Sequence, residues 1–208
     1  MVSTRACGAL SQGSNPCRHP RIMQNIWDNK ELVSILVNGG LAVMPTDTLY
    51  GVVCSALNTE TVNRLYDLRR KTPNKPILIL IESVNDLAKF SVVPTEKQRE
   101  EFNKNWPGPV TIILDCSDPK LEYLHRGTNS LAFRVPAVKE IRDLLLKTGP
   151  LLAPSANTEA MPPAKNTAEA KEYFGDSVDF YLDGGDREGR ASRVIKLSPT
   201  AEVSVIRE

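Results

Sequence analysis

Residues 76–81 read Pro-Ile-Leu-Ile-Leu-Ile, an apolar run with no polar interruption. A strand with one wet face alternates polar and apolar residues, so a run like this suits a short strand covered on both faces. Upstream, Asn58 or Thr59 caps a helix that continues to Lys71, with Val62, Leu65 and Leu68 turned inward. Further upstream, Ile26 to Val37 is helical, with Ile26, Leu32, Ile35 and Leu36 on one stripe, and Gly39-Gly40 stops it. Leu41 to Met44 and Tyr50 to Ala56 are strand-like. Downstream, Ser83 to Phe90 and Thr95 to Asn105 predict two capped surface helices. Trp106-Pro107-Gly108-Pro109 is a stiff turn feeding a strand over Val110 to Leu114. Ser130 to Val135, Leu151 to Ala153, Phe180 to Leu182, Val194 to Leu197 and Val203 to Ile206 complete the strands, with helices over Ala137 to Lys147 and Thr167 to Phe174. Strands and helices intermix without a regular repeat. The expectation is a single α/β domain, a twisted mixed sheet with helices packed on it.

The chain has 208 residues, room for one ordinary domain or two small ones. It carries 26 Lys and Arg against 25 Asp and Glu, a formal charge of +1, so no global field recruits nucleic acid or an anionic membrane. Cys7, Cys17, Cys54 and Cys116 form no CxxC pair, which argues against zinc and against a disulfide framework and fits thiols in a reducing cytoplasm. No stretch approaches the roughly 20 apolar residues that span a bilayer. Residues 1–21, rich in Ser, Gly, Asn, Pro and Arg, read as a disordered leader before a domain over 22–208. GxxxxGK[ST], GxGxxG after a strand, HExxH and GxSxG are all missing. With His19 in the leader and His125 in what reads as a polar loop, a Ser-His-Asp engine is a poor fit.

Four segments carry unusual chemistry for their position. Pro45-Thr46-Asp47-Thr48-Leu49-Tyr50-Gly51 places two hydroxyls and a carboxylate at a strand end, which suits a small polar ligand or a turn with an Asx cap. Arg69-Arg70-Lys71-Thr72-Pro73-Asn74-Lys75-Pro76 gathers cations at a helix end. The helix dipole accounts for the first of them, but not for Lys75 beyond the turn. Such a cluster suits phosphate oxygens or a solvated basic face. Arg134, inside the apolar Ala132-Phe133-Arg134-Val135, needs a carboxylate partner from protein or ligand, or an outlet to solvent. Pro154-Ser155-Ala156-Asn157 joins small residues to a hydroxyl and an amide.

Taken in order, these segments, with Lys75-Pro76 before the apolar run and Trp106-Pro107-Gly108-Pro109-Val110-Thr111 between, resemble the YrdC-like family from about Trp27 to Arg207. The resemblance implies one α/β domain with a basic concave face. It also implies synthesis of L-threonylcarbamoyladenylate from L-threonine, bicarbonate and ATP, with Mg²⁺ carried by ATP. The product would pass to the machinery that modifies adenosine 37 of tRNAs reading codons that start with A, and tRNA or other RNA would meet the basic face. By the family pattern, Thr48, Arg134, Ala153 and Ser192 face L-threonine, while Lys71, Lys75, Ser130, Ser155, Asn157, Pro163 and Arg207 face ATP. Lys71, Arg69 and Ser155 stand at the reacting centre. Both chemical steps accumulate negative charge, which suits Lys and Arg rather than His. Arg193 replaces a family threonine, and Leu80 stands where long members carry a substrate-touching histidine. The alternative function is a double-stranded RNA-binding module of the same fold, though a near-neutral chain with 6% aromatics offers little for RNA. A carbamoyl-AMP activity of the hydrogenase-maturation kind belongs to much longer chains.

Overall fold

The computed structural model describes residues 25–69, 77–158 and 160–208. The expected leader and the turn carrying Lys71 and Lys75 lie outside the described residues.

Helix α1 (Lys30–Val37) starts later than the apolar stripe, because Asn29 caps it by accepting from the backbone N–H groups of Glu31 and Leu32. Strands β1 (Ala42–Pro45) and β2 (Tyr50–Ser55) form an antiparallel pair, followed by α2 (Thr59–Arg69), which Asn58 caps through the Thr61 N–H. The decisive apolar run yields β3 (Leu78–Leu80). Then come α3 (Glu96–Asn105), β4 (Val110–Asp115), α4 (Glu122–His125), β5 (Ser130–Arg134), α5 (Lys139–Thr148) and β6 (Leu151–Leu152). The chain finishes with α6 (Thr167–Phe174), β7 (Phe180–Tyr181), β8 (Arg193–Leu197) and β9 (Val203–Arg207).

Two further expectations need correction. Val84–Phe90 is a 3-10 helix whose Ser83 makes no side-chain cap, and Leu87 and Phe90 are buried in the core rather than lying on the surface. His125 is not in a polar loop. It ends α4, buried, with Nε2 against the Asp118 carbonyl at 3.2 Å and Nδ1 accepting from the Gly127 N–H at 3.2 Å. The signal for this missed element was Asp118-Pro119, where the Asp118 carboxylate caps a 3-10 turn by accepting from the Lys120 N–H.

The nine strands form one mixed sheet in the order β7-β1-β2-β6-β3-β5-β4-β8-β9. Pairs β1–β7, β3–β5 and β4–β8 are parallel and the others antiparallel. One face packs Ile79, Phe133, Ile112 and Ile195 under Val62 and Leu65 of α2, Phe102 of α3 and Phe174 of α6. On the other face α1 and α5 lay Leu32, Leu36, Ile141 and Leu144 over Met44, Val53, Leu80 and Leu151. This second cluster draws on β1, β2, β3 and β6, and on no residue of β4, β5, β8 or β9. Over that half of the sheet, alternation puts Leu131 and Phe133 on the first face and Ser130, Ala132 and Arg134 on the other. Thr111 of β4 and Lys196 of β8, opposite in phase to the core residues Ile112 and Ile195, share that second face.

Candidate active site

The turn between β1 and β2 is the first wall of the site. Thr46 is buried and folds it: its hydroxyl donates to the Leu49 carbonyl at 2.7 Å and accepts from the N–H groups of Thr48 and Leu49. A threonine hydroxyl, rather than an Asx cap, therefore holds this turn. Asp47 points at Arg134, and so does Thr48, whose hydroxyl also lies 3.2 Å from Thr46 Oγ1. The Arg134 guanidinium donates from Nη2 to Asp47 Oδ1 at 2.8 Å and from Nη1 to Thr48 Oγ1 at 3.3 Å. The two charged side chains of this ion pair are each only 2% exposed. The carboxylate partner that Arg134 requires is thus protein-borne, 87 residues away in sequence. Among the described residues, Arg134 Nε is buried and has no hydrogen-bond partner. Burial pushes the Arg134 guanidinium below its usual range, Asp47 draws it back up, and the charge of Arg207 pushes it down again.

The sheet register brings Arg207 to this end. Arg134 pairs with Leu80 on one side, and Val194 pairs with Arg207 two strands away on the other. Arg207 donates from Nε and Nη2 to the Ser192 carbonyl at 3.1 and 2.7 Å, and the Ser192 hydroxyl meets Thr111 Oγ1 at 2.8 Å. Leu80 is fully buried in the apolar cluster under α5, so this position is committed to core packing. Arg193 forms an ion pair with Glu208 at 3.1 Å.

The second wall is the loop after β6. Ser155 bridges Gly51 of β2, and the Ala156 N–H donates to the Tyr50 carbonyl at 2.8 Å. Arg69, at the end of α2, reaches into this loop. It donates from Nε to the Asn157 carbonyl and from Nη2 to Asn157 Oδ1, both at 3.1 Å, with Ser155 Oγ at 3.4 Å. Ser155 in turn donates to Asn157 Oδ1 at 2.6 Å. Arg69 is 1% exposed, and no carboxylate among the described residues pairs with it. Burial lowers its pKa to about 10. A buried cation whose acceptors among the described residues are all neutral is costly on its own and is the chemical counterpart of an anion.

A third segment closes over the first wall. The Tyr50 hydroxyl donates to the Gly185 carbonyl at 2.8 Å and accepts from the Gly184 N–H at 2.9 Å. A Cβ on Gly189 would fall 1.7 Å from the Thr48 carbonyl oxygen, so only glycine lets the 184–192 loop lie against that turn.

The structure therefore gathers Thr48, Arg134, Ser192 and Arg207 at one end, and Arg69, Ser155 and Asn157 beside them. The Gly51–Ser155 bridge joins the two groups, and Ala153 donates its N–H to Leu78 between them. Ser130 starts β5 on the same face as Arg134, roughly 13 Å along the strand, with its hydroxyl on Thr128 Oγ1. Pro163 is half-buried, two residues before Lys165, whose carbonyl accepts from the Arg187 N–H. Lys71 and Lys75 fall outside the described residues. Asp47 lay in a segment that the sequence singled out for a small polar ligand, but its pairing with Arg134 was not foreseen. Its place in Pro45-Thr46-Asp47-Thr48 was the available signal.

Comparison with known proteins places these features in context. A family model covering Sua5, YciO and YrdC, described as "Telomere recombination", matches residues 34–208. The threonylcarbamoyl-AMP synthase of Pyrococcus abyssi is 29% identical over 174 residues, covering 83% of this chain and 51% of that protein. The chain thus spans about half the length of that relative. The threonylcarbamoyl-AMP synthase of Idiomarina loihiensis is 30% identical over 159 residues, 75% of this chain and 86% of that protein. The crystal structure of P. abyssi Sua5 complexed with L-threonine superposes with a TM-score of 0.73 at 28% identity, covering 83% of this chain and 50% of that one.

Proposed function

The chain belongs to the Sua5/YciO/YrdC family, and from that premise we propose that it is a nucleotidyltransferase making L-threonylcarbamoyladenylate from L-threonine, bicarbonate and ATP. Pyrophosphate is the leaving group, and the product serves the modification of adenosine 37 in tRNAs that read codons starting with A. The observation that carries this reading is the pair of adjoining cationic sites of different character. Arg134 is buried beside the Thr48 hydroxyl and keeps an unpartnered Nε–H among the described residues, which suits a carboxylate next to a small polar side chain. Arg69 is buried against neutral acceptors of the Ser155–Asn157 loop, the acceptors it has among the described residues, which suits a phosphate.

In the proposed reaction the threonine nitrogen adds to the carbon of CO₂ derived from bicarbonate and loses a proton, giving a carbamate. A carbamate oxygen then attacks the α-phosphorus while the bond to pyrophosphate breaks. Thr48, Arg134, Ala153 and Ser192 hold the amino acid. Arg69, Ser155 and Asn157, with Lys71 and Lys75, hold the phosphates, and Ser130, Pro163 and Arg207 the rest of the nucleotide. Fixed donors and cations aimed at the developing charge are the main contribution such a site makes. No cluster of three His, Cys, Asp or Glu that could hold a metal occurs among the described residues. Mg²⁺ fits as a companion of the ATP phosphates, which it would help neutralise.

The test is pyrophosphate release by the purified chain with Mg²⁺, ATP and bicarbonate. L-Threonine should raise the rate strongly, without tRNA, and the nucleotide product should carry the threonylcarbamoyl mass on AMP. L-Serine, one methyl smaller, should be poorer by roughly ten- to two-hundredfold where the methyl sits in an apolar pocket. Release that ignores threonine, together with tight duplex RNA binding at physiological salt, would replace this reading with the RNA-binding one.

A further inference from the structure

Asp47 has an unusual position. Its side chain is buried, one oxygen on Arg134 Nη2 at 2.8 Å and the other accepting from the Ala137 backbone N–H at 3.2 Å. Ala137 lies just before α5, whose N-cap is Val138. The carboxylate is therefore pinned between the end of β5 and the start of a helix, and through it the Arg134 guanidinium is pinned as well. Thr48, the next residue in the same turn, holds the neighbouring nitrogen at 3.3 Å. Thr46 keeps the turn in shape.

This arrangement is not what stability alone would select. A buried ion pair often contributes no more than an apolar pair of the same size. The guanidinium also sits near a second cation, Arg207, which opposes its charge. A long side chain with a rigid fork of donors is here fixed on two of its nitrogens by one turn, and its Nε is left without a partner among the described residues.

We propose that Asp47 is a positioning residue for amino-acid recognition: it orients the Arg134 guanidinium and offsets its charge, so that the site selects its carboxylate ligand by geometry rather than by bare attraction. The proposal rests on the reading of Arg134 as the group that meets the threonine carboxylate. Two consequences follow. Without Asp47, the cost of ordering Arg134 falls on substrate binding, which weakens it. At the same time the uncovered charge attracts small anions that the native site ignores.

The experiment is a double-mutant cycle on threonine and ATP binding by calorimetry, using Asp47→Asn, Arg134→Ala and the double variant, with acetate as a competing anion. Asp47→Asn should raise the threonine Kd by about tenfold or more and leave the ATP Kd within about twofold. Acetate should compete with threonine in this variant far better than in the wild type. In the Arg134→Ala background the same substitution should change threonine binding by less than about twofold, since it acts through Arg134. If Asp47→Asn does not fold, Asp47→Glu carries the same cycle, because it keeps the charge and misplaces it by one methylene. Additive losses, or unchanged threonine and acetate binding in the Asp47 variant while Arg134→Ala abolishes threonine binding, would overturn the positioning role alone. Unchanged threonine binding in Arg134→Ala would remove the threonine site itself, and the role of Asp47 with it.

Discussion

Replacing Arg69 by glutamine should separate ligand binding from folding at one residue. Burial that takes the guanidinium down to about 10 corresponds to about 3 kcal/mol against the charged form at neutral pH. Against this stand the contacts to the Asn157 carbonyl, Asn157 Oδ1 and Ser155 Oγ. Hydrogen bonds from a charged donor contribute about 1.5–3 kcal/mol each in good geometry, less at 3.4 Å. At the low end of that range the two 3.1 Å bonds, about 3 kcal/mol together, cancel the burial cost, and a glutamine amide retains one or two of the bonds without the charge. The free protein should therefore change in stability by no more than about 1 kcal/mol, or roughly 2–4 °C in Tm for a chain of this size. ATP is another matter, because the charge then has nothing to offset its loss. Its affinity should fall by about ten- to hundredfold, and the rise in Tm that saturating ATP gives the wild type should shrink accordingly. Thermal melts with and without Mg-ATP, plus calorimetry, measure both quantities. The sign of the pH effect is also fixed. The unfolded chain binds the Arg69 proton more tightly than the folded one, so this residue makes stability rise with pH only above about pH 10. A variant that loses several kcal/mol in the free state yet binds ATP like the wild type would show Arg69 to be a structural brace and refute the reasoning.

Gly189→Ala should push the 184–192 loop off the Thr48 carbonyl, costing about 1–3 kcal/mol and weakening threonine binding more than ATP binding, as equilibrium unfolding and calorimetry would show. Thr95→Ala removes a capping box in which Thr95 and Gln98 each accept from the other's backbone N–H, at 3.2 and 2.9 Å, so it should cost about 1 kcal/mol with both ligands bound normally. The hydrogen bond from Arg64 holds the Asp179 carboxyl below the usual carboxylate range, partly opposed by burial and helped by the Leu41 N–H. That contribution is present above the unfolded value and is lost as pH falls through the folded one. Denaturant midpoints should therefore drop below about pH 4, and less so in Asp179→Asn, by under about 1 kcal/mol because the pair is part-exposed.

Most strands were legible because each carries its own local signal. The runs at 77–81, 110–114 and 131–135 are apolar, β-branched or aromatic, and bounded by turn residues. The order of the strands was not legible, since β6 inserts between β2 and β3 through contacts that leave no periodicity. The helix start at Lys30 and the 3-10 form at 84–90 were misjudged because apolar spacing alone does not fix where capping begins or which helix forms. Among site residues, Arg134 was conspicuous as a charge inside an apolar strand. Its partner was hidden, because an Asp in a Thr-Asp-Thr turn looks like ordinary turn chemistry. Arg69 was misleading in the opposite way. At the last position of a helix a cation is favoured by the dipole and is usually solvated, whereas Arg69 is buried and bonded to the Ser155–Asn157 loop, which arrives from far along the chain.

The position of the candidate site follows from an incomplete third layer. Helices α1 and α5 cover the second face of the sheet only over β1, β2, β6 and β3. A strand such as β5, had it been covered by helices on both faces, would carry apolar residues at every position. Instead it alternates Ser130, Ala132 and Arg134 with Leu131 and Phe133: all five are buried, but only the second set joins the apolar core, and the first set, with a hydroxyl and a guanidinium, lies on the face that α1 and α5 leave uncovered. The polar half-face begins at the edge of α5, where Leu80 turns inward while Arg134, its neighbour across the β3–β5 ladder, turns to Asp47. A ligand at the proposed site would be flanked by packed helix on one side and by the 184–192 loop, which lies against the Thr48 turn, on the other. Arg134 is consequently anchored in the sheet rather than on a loop, while Thr48, which meets it, and Ser192, which meets Thr111 of the neighbouring strand, are carried by loops.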